Sequence, residues 1–428
     1  MNFKSISIIF GLLSFVYSSP INNIFLEKKI NSVEILKLQG ATNELNIVDI
    51  DKSNYKDIDN NDIDTELKYT KVPTNSVNDN REISDLPCND IQSCVDWMKE
   101  NKEILNEYGP YISDEIFDYL LLQYQDEKNV KKLQQNFEAV EYGTKVDVNG
   151  HKMSVNIKGE EHNTTIVVLP GLGIISPVIF YKSLTEMLAN DYKVVTIEPF
   201  GYGVSDLTDE ERTAKNMVSE IHECLQKLGI NQFYLMGHSI GGIYSIIYDN
   251  TYEGEVLGFI GLDNTPSNYE NFSDDDTPIP EDVYTYARIF DKYHLWGLLP
   301  EDQKKELFEI ETEQQYQNYS EIEVEDLINI NSYRYINLNL IDENNRSEDN
   351  VASTKGLYFH CPLLMFTSEQ TQEHTSEWNT LHENMIHNNP NKNLINKSKV
   401  ISLEGTTHGF IHTQKKDFIY DDIKQWIN

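Results

Sequence analysis

The stretch from Tyr234 to Asp249, YLMGHSIGGIYSIIYD, places a serine at a tight corner. An apolar strand runs into Gly237-His238-Ser239-Ile240-Gly241, and Ile240, Ile243, Ile246 and Ile247 then recur at helical spacing. Serine among glycines at a strand-to-helix junction can be a plain helix cap. The same residues can instead hold a hydroxyl out at the carboxyl end of a parallel strand, as a nucleophile. A pentapeptide recurs by chance, so the rest of the chain must supply a proton acceptor, an acid and donors for an oxyanion.

A serine hydroxyl is a weak nucleophile until a neutral imidazole accepts its proton. Among 11 histidines, His408 in SLEGTTHGFIHT stands out. It lies between the last expected strand and the last expected helix, at the carboxyl edge of the sheet. His412, its competitor, falls on the helix start. Acyl transfer also needs two N–H donors for the developing oxyanion. Leu169-Pro170-Gly171-Leu172-Gly173 closes an early strand. The expected donors are therefore the backbone N–H of Leu172 and that of Ile240, the residue after the serine. An ordinary strand-to-helix turn reads the same way.

The elements that must position these groups follow from pattern. EAVEYGTKVDVNGHKMSVNIKG alternates around Asn149-Gly150, a hairpin signal. TTIVVLPGLG, YKVVTIEPFGYGVSD, NQFYLMGHSIGG, EVLGFIGLDNTP, CPLLMFTSE and KVISLEGTTHGF are apolar strands separated by helical stretches. Continuous apolar strands alternating with helices predict a parallel sheet covered on both faces. An acidic segment, 267–352, interrupts the alternation after the sixth strand. Its aromatics and leucines, as in PEDVYTYARIFDKYHLWGLL, predict a helical lid over the carboxyl end of the sheet.

Upstream, residues 91–140 read as a helical segment packed on the main domain, 141–428, and residues 19–90 as a polar leader or linker. Residues 1–18 have the basic start, apolar run and small-residue exit of a secretory signal peptide, with a membrane anchor as the alternative that the short apolar run disfavours. No later segment is apolar enough to span a membrane. Cys88 and Cys94 lie close enough in sequence for a short-loop disulfide in an oxidising compartment. Cys224 and Cys361 read as buried thiols, and no cluster has metal-ligand spacing. The formal net charge of −35 argues against nucleic acid and anionic membrane surfaces as partners.

Together LPGLG, EPFGYGVSD, GHSIGG, FIGLDNTP and GTTHGF resemble, in order and spacing, the motifs of an α/β-hydrolase. The resemblance covers about two-thirds of the chain, from about Val146 onward. It implies an eight-stranded, mostly parallel sheet with helices on both faces, and hydrolysis through an acyl-enzyme on Ser239. Many such proteins carry an aspartate a few residues past the seventh strand, where this chain has Thr371. Some, the haloalkane dehalogenases among them, carry the acid at the end of the sixth strand, where this chain has Asp263. Asp263 is thus the expected acid and Glu369 the alternative; Glu369 and Glu373 are both near Thr371, and neither is in register. A turn cap also explains an aspartate at 263.

A serine at position 239 sets the chain apart from relatives that attack with a carboxylate. The expected function is a secreted serine hydrolase cleaving a small-molecule carboxylic ester, with thioester or amide as further options and no metal or organic cofactor. Two alternatives stand beside it: a peptidase releasing N-terminal residues, its amine held by the acidic insertion, and a catalytically inactive binding protein of the same fold.

Overall fold

The computed structural model describes residues 86–103, 113–267, 269, 281–308 and 319–428. The expected signal peptide, and the expected leader up to residue 85, lie outside the described residues.

Eight strands form one sheet: β1 (Thr144–Val148), β2 (His151–Lys158), β3 (Thr165–Leu169), β4 (Lys193–Glu198), β5 (Phe233–His238), β6 (Val256–Leu262), β7 (Leu363–Ser368) and β8 (Lys399–Leu403). Their order is β1-β2-β4-β3-β5-β6-β7-β8. The β1–β2 and β2–β4 pairings are antiparallel and the rest parallel. The β1–β2 hairpin turns at Asn149 (φ 51°) and Gly150 (φ 85°), the two positive-φ positions that a two-residue turn of matching twist demands.

Strand side chains alternate between faces, so each apolar run feeds two cores. Val167, Leu235, Phe259 and Met365 pack on one face, with Met217 and Ile221 of the helix Ala214–Lys227. Ile166, Val168, Met236, Ile260 and Leu364 pack on the other, with Ile419 and Ile423 of the helix Lys416–Ile427. Both faces being dry is what permits strands with no polar alternation.

Between β6 and β7 the chain makes the helices Glu281–Lys292, Leu295–Leu298, Glu301–Leu307, Glu321–Arg334, Leu338–Asn345 and Ser347–Ala352. Among the described residues, these build a third core that contains no strand residue. Tyr286, Phe290 and Trp296 pack there with Met98 of the helix Ile91–Glu100 and Phe117 of the helix Asp114–Gln125. The upstream helices thus bury their apolar side against the insertion, because both sheet faces are already covered. Ile175, Ile179 and Tyr202, from the segments that follow β3 and β4, belong to the same core. A disulfide joins Cys88 to Cys94 at the start of that region, while Cys224 and Cys361 are buried free thiols.

Polar contacts fix the insertion to the sheet. Tyr202, after β4, and Tyr244, on the helix Gly241–Thr251 that leads from Ser239, donate to the buried carboxyl of Glu343 at 2.8 and 2.6 Å. Burial raises the Glu343 pKa, opposed by these two hydroxyls and by the Arg212 charge. Among the described residues no helix is long and apolar enough to cross a membrane.

Candidate active site

Ser239 follows the last residue of β5 and adopts φ 51°, a left-handed conformation that is uncommon for a non-glycine residue. Its two neighbouring glycines are required by close backbone approach. A Cβ on Gly237 would stand 2.8 Å from the carbonyl of Gly241, and one on Gly241 would stand 2.9 Å from the Pro170 oxygen. The corner is therefore more than a helix cap. Its geometry brings the loop after β3 against the serine, since a Cβ on Gly171 would lie 3.0 Å from Ser239 Cβ.

His408, on the loop after β8, closes on this corner. The Ser239 hydroxyl lies 3.0 Å from His408 Nε2, and His408 Nδ1–H donates to Asp263 Oδ2 at 2.7 Å. A carboxylate can only accept, so Nδ1 carries the proton and Nε2 presents its lone pair to the serine. His408 is 4% exposed and Asp263 fully buried, so the pair interacts with little solvent screening. Its position after β8 is held by a bond from the His408 backbone N–H to Gln370 Oε1 at 2.9 Å.

Asp263 follows β6 and, like Ser239, has positive φ (44°). Strain of this kind persists only where surrounding contacts over-determine it, and here they do. Ser368 N–H and Trp378 Nε1–H donate to Oδ1 at 2.9 and 2.8 Å. The hydroxyls of Ser368 and Thr371 donate to Oδ2 at 2.6 and 2.5 Å. Burial alone would raise the carboxyl pKa. The hydrogen bond and charge of His408, with the two hydroxyls, outweigh it and hold Asp263 ionised well below the ordinary carboxylate range.

The other sequence candidates lie apart from this contact. Glu369 Oε2 accepts from the Gly405 N–H at 2.7 Å. His412 is buried against Phe180, donating through Nε2 to its carbonyl at 2.9 Å. The structure brings Leu172 and Ile240 to the corner through the 171–173 loop and the start of the helix after Ser239. Among the described residues, neither backbone N–H donates a hydrogen bond.

For several contributors the sequence gives no sign that they contact Asp263. Ser368, Thr371 and Trp378 surround the acid, yet each lies more than a hundred positions from it in the chain. A second chain of hydrogen bonds runs beneath the corner. Gly171 N–H donates to Tyr181 OH at 3.3 Å, Tyr181 O–H donates to His238 Nδ1 at 2.9 Å, and His238 Nε2–H donates to the His408 carbonyl at 2.9 Å. Burial, then the nearby His408 and His412, push the His238 pKa well below its usual value, so its ring is neutral. That one ring ties the loop carrying Leu172 to the backbone of His408. Its place beside Ser239 is the sole sequence hint of that role.

Residues 164–321 match the family described as alpha/beta hydrolase fold. The uncharacterized protein YbdG of Bacillus subtilis is 31% identical over 132 residues, 30% of this chain and 40% of that protein. The epoxide hydrolase VrEH1 from Vigna radiata shares 18% identity over 68% of this chain and 99% of its own, with a TM-score of 0.47. A structure described as a marine microorganism esterase shares 19% identity over 64% of this chain and 98% of its own, with a TM-score of 0.45.

Proposed function

We propose that this protein, whose residues 164–321 match the family described as alpha/beta hydrolase fold, is a secreted serine hydrolase that cleaves a carboxylic ester through an acyl-enzyme on Ser239. The observation that carries the reading is the Ser239–His408–Asp263 relay, with contacts of 3.0 and 2.7 Å.

In the first half-reaction Ser239 Oγ attacks the ester carbonyl carbon while its proton passes to His408 Nε2. The backbone N–H groups of Leu172 and Ile240 receive the oxyanion. As the tetrahedral intermediate collapses, the C–O bond to the alcohol breaks and the leaving oxygen takes the proton from His408. Water then repeats the sequence on the acyl-enzyme, losing its proton to His408 and releasing the acid and free Ser239. Asp263 stays ionised throughout, orienting the imidazole and stabilising the imidazolium.

Secretion is supported by the signal-like pattern of residues 1–18 and by the Cys88–Cys94 disulfide, which suits an oxidising compartment. Expression with the native amino terminus should release protein whose first residue is Ser19. Retention of the full chain inside the cell would reject secretion. For the chemistry, p-nitrophenyl esters should give a stoichiometric burst of nitrophenol, with turnover lost by about 10⁴-fold or more in Ser239→Ala. Turnover of these esters at an undiminished rate by Ser239→Ala would reject the nucleophile.

A further inference from the structure

We propose that Glu343, on the inserted helix Leu338–Asn345, is a positioning residue for the oxyanion site, its one buried carboxylate tying together the two backbone segments that carry the Leu172 and Ile240 N–H groups. This rests on the reading of Ser239 as the nucleophile and of those two N–H groups as the oxyanion donors.

The donors come from separate parts of the chain, the loop after β3 and the turn after β5, so their spacing depends on contacts that join the two. Glu343 reaches toward both. Its Oε1 accepts from Tyr244 OH at 2.6 Å, and the Tyr244 backbone N–H donates to the Ile240 carbonyl, one helical turn back, at 3.3 Å. Its Oε2 accepts from Tyr202 OH at 2.8 Å. The turn that carries Tyr202 is itself bonded to the loop after β3, since the Gly203 N–H donates to the Ile175 carbonyl at 2.5 Å. Burial, then the Glu343 carboxyl, push the Tyr202 pKa well above its usual value, and a hydrogen bond from the backbone N–H of Gly173 acts against them. Gly173 is the residue after Leu172. One tyrosine hydroxyl thus faces the donor loop and the inserted carboxylate together.

Seating the helix does not depend on Glu343. Asn337 Nδ2 donates to the Gly201 carbonyl at 2.8 Å, and the Asn339 side chain donates to the Thr208 carbonyl at 2.9 Å and accepts from its N–H at 3.0 Å. Asp342 accepts from the Arg212 N–H at 2.7 Å. Arg212, whose charge favours the ionised Glu343, is held by Glu220 through two bonds of 2.9 Å, while the adjacent Asp342 acts in the opposite sense. What Glu343 adds is the tie between segments. Donors aimed at an oxyanion act only when that charge develops, so a displaced donor slows turnover and leaves substrate binding almost unchanged.

The test uses Glu343→Gln, Tyr202→Phe and Tyr244→Phe in the full chain. A carboxamide accepts through one oxygen where a carboxylate accepts through two, so Glu343→Gln cuts one arm at nearly constant shape. Each phenylalanine cuts one arm alone, and these two variants decide the matter if Glu343→Gln does not fold. Fluorophosphonate labelling to completion reports a folded chain with a reactive serine. On a p-nitrophenyl ester we expect kcat about tenfold lower in each variant, with KM within about twofold, a part of the roughly 10²–10³-fold that removal of a whole donor costs. The same ester with C=S in place of C=O separates oxyanion placement from general loosening, because sulfur is larger and a weaker acceptor. The oxygen-to-sulfur rate ratio should fall at least about fivefold in each variant. Wild-type kcat in either labelled phenylalanine variant, a change confined to KM, or equal losses on ester and thionoester would overturn the role of Glu343 and leave Ser239 as nucleophile. Absence of labelling in the wild-type chain would overturn both.

Discussion

Thr371 donates its hydroxyl to Asp263 Oδ2 at 2.5 Å while standing 3.5 Å from His408 Nδ1. The two residues come from the ends of different strands, Asp263 after β6 and Thr371 just beyond β7. The position after the seventh strand, where many α/β-hydrolases hold their acid, is thus filled by a group that supports the acid after the sixth. Replacing Asp263 by Asn should lower kcat by roughly 10²–10⁴-fold, because the imidazole loses its orientation and its charge partner. Glu369→Gln, at a side chain that accepts from the Gly405 N–H, should leave kcat within about threefold. Steady-state kinetics on the two variants decide between them. A crippled Glu369→Gln beside an active Asp263→Asn would move the acid to Glu369.

Thr371→Val removes one charge-assisted hydrogen bond from Asp263 and keeps the side-chain shape. Such bonds are worth about 1.5–3 kcal/mol, and Ser368, Trp378 and His408 remain on the carboxylate. We expect kcat to fall about tenfold with little change in KM, since the acid is freed to shift but not removed. Equal kinetics for Thr371→Val and wild type would reduce Thr371 to a packing residue.

The bridge through His238 can be broken at Tyr181. Tyr181→Phe deletes the donor to His238 Nδ1 and the acceptor of the Gly171 N–H. Leaving a buried ring nitrogen without its donor costs about 1–3 kcal/mol. Part of that should appear as a kcat about tenfold lower, because the loop carrying Leu172 and the backbone of His408 lose their shared anchor. A fall in thermal stability with kcat untouched would make the bridge purely structural.

What the sequence made legible was the geometry set by local chemistry. Asn149-Gly150 dictated its hairpin, and two-sided apolar runs dictated the sheet. Gly237 and Gly241 marked a corner that only glycine can flank. What it hid was long-range. Nothing in TSEQTQEHTSEW says that Thr371 and Trp378 converge on Asp263, because that depends on how β7 lies beside β6. Nor does the amphipathic pattern of residues 91–138 reveal whether its partner is the sheet or the insertion. Several faces of equal apolarity compete, and tertiary packing alone selects one.

A pH effect is expected away from the site. Asp249, at 1% exposure on the helix after Ser239, has its pKa raised by burial to about 6 from 3.8, against the opposing His360 contact. The folded state therefore holds the proton more tightly than the unfolded chain. This favours folding below pH 3.8 and is lost as pH rises through about 6. Above that, an ionised Asp249 costs about 3 kcal/mol by linkage. Asp249→Asn should consequently raise stability in urea at pH 8 by about 1–3 kcal/mol and change it little near pH 4. A variant destabilised at pH 8 would show that the carboxylate is net favourable there.

The central claim, that Ser239 is activated by His408 and Asp263, is tested most directly by locating a fluorophosphonate adduct by mass spectrometry. One adduct per chain should map to the peptide containing Ser239, vanish in Ser239→Ala, and form at least a hundredfold more slowly in His408→Ala. An adduct that maps to another serine, or that forms on Ser239 at an unchanged rate without His408, would contradict it.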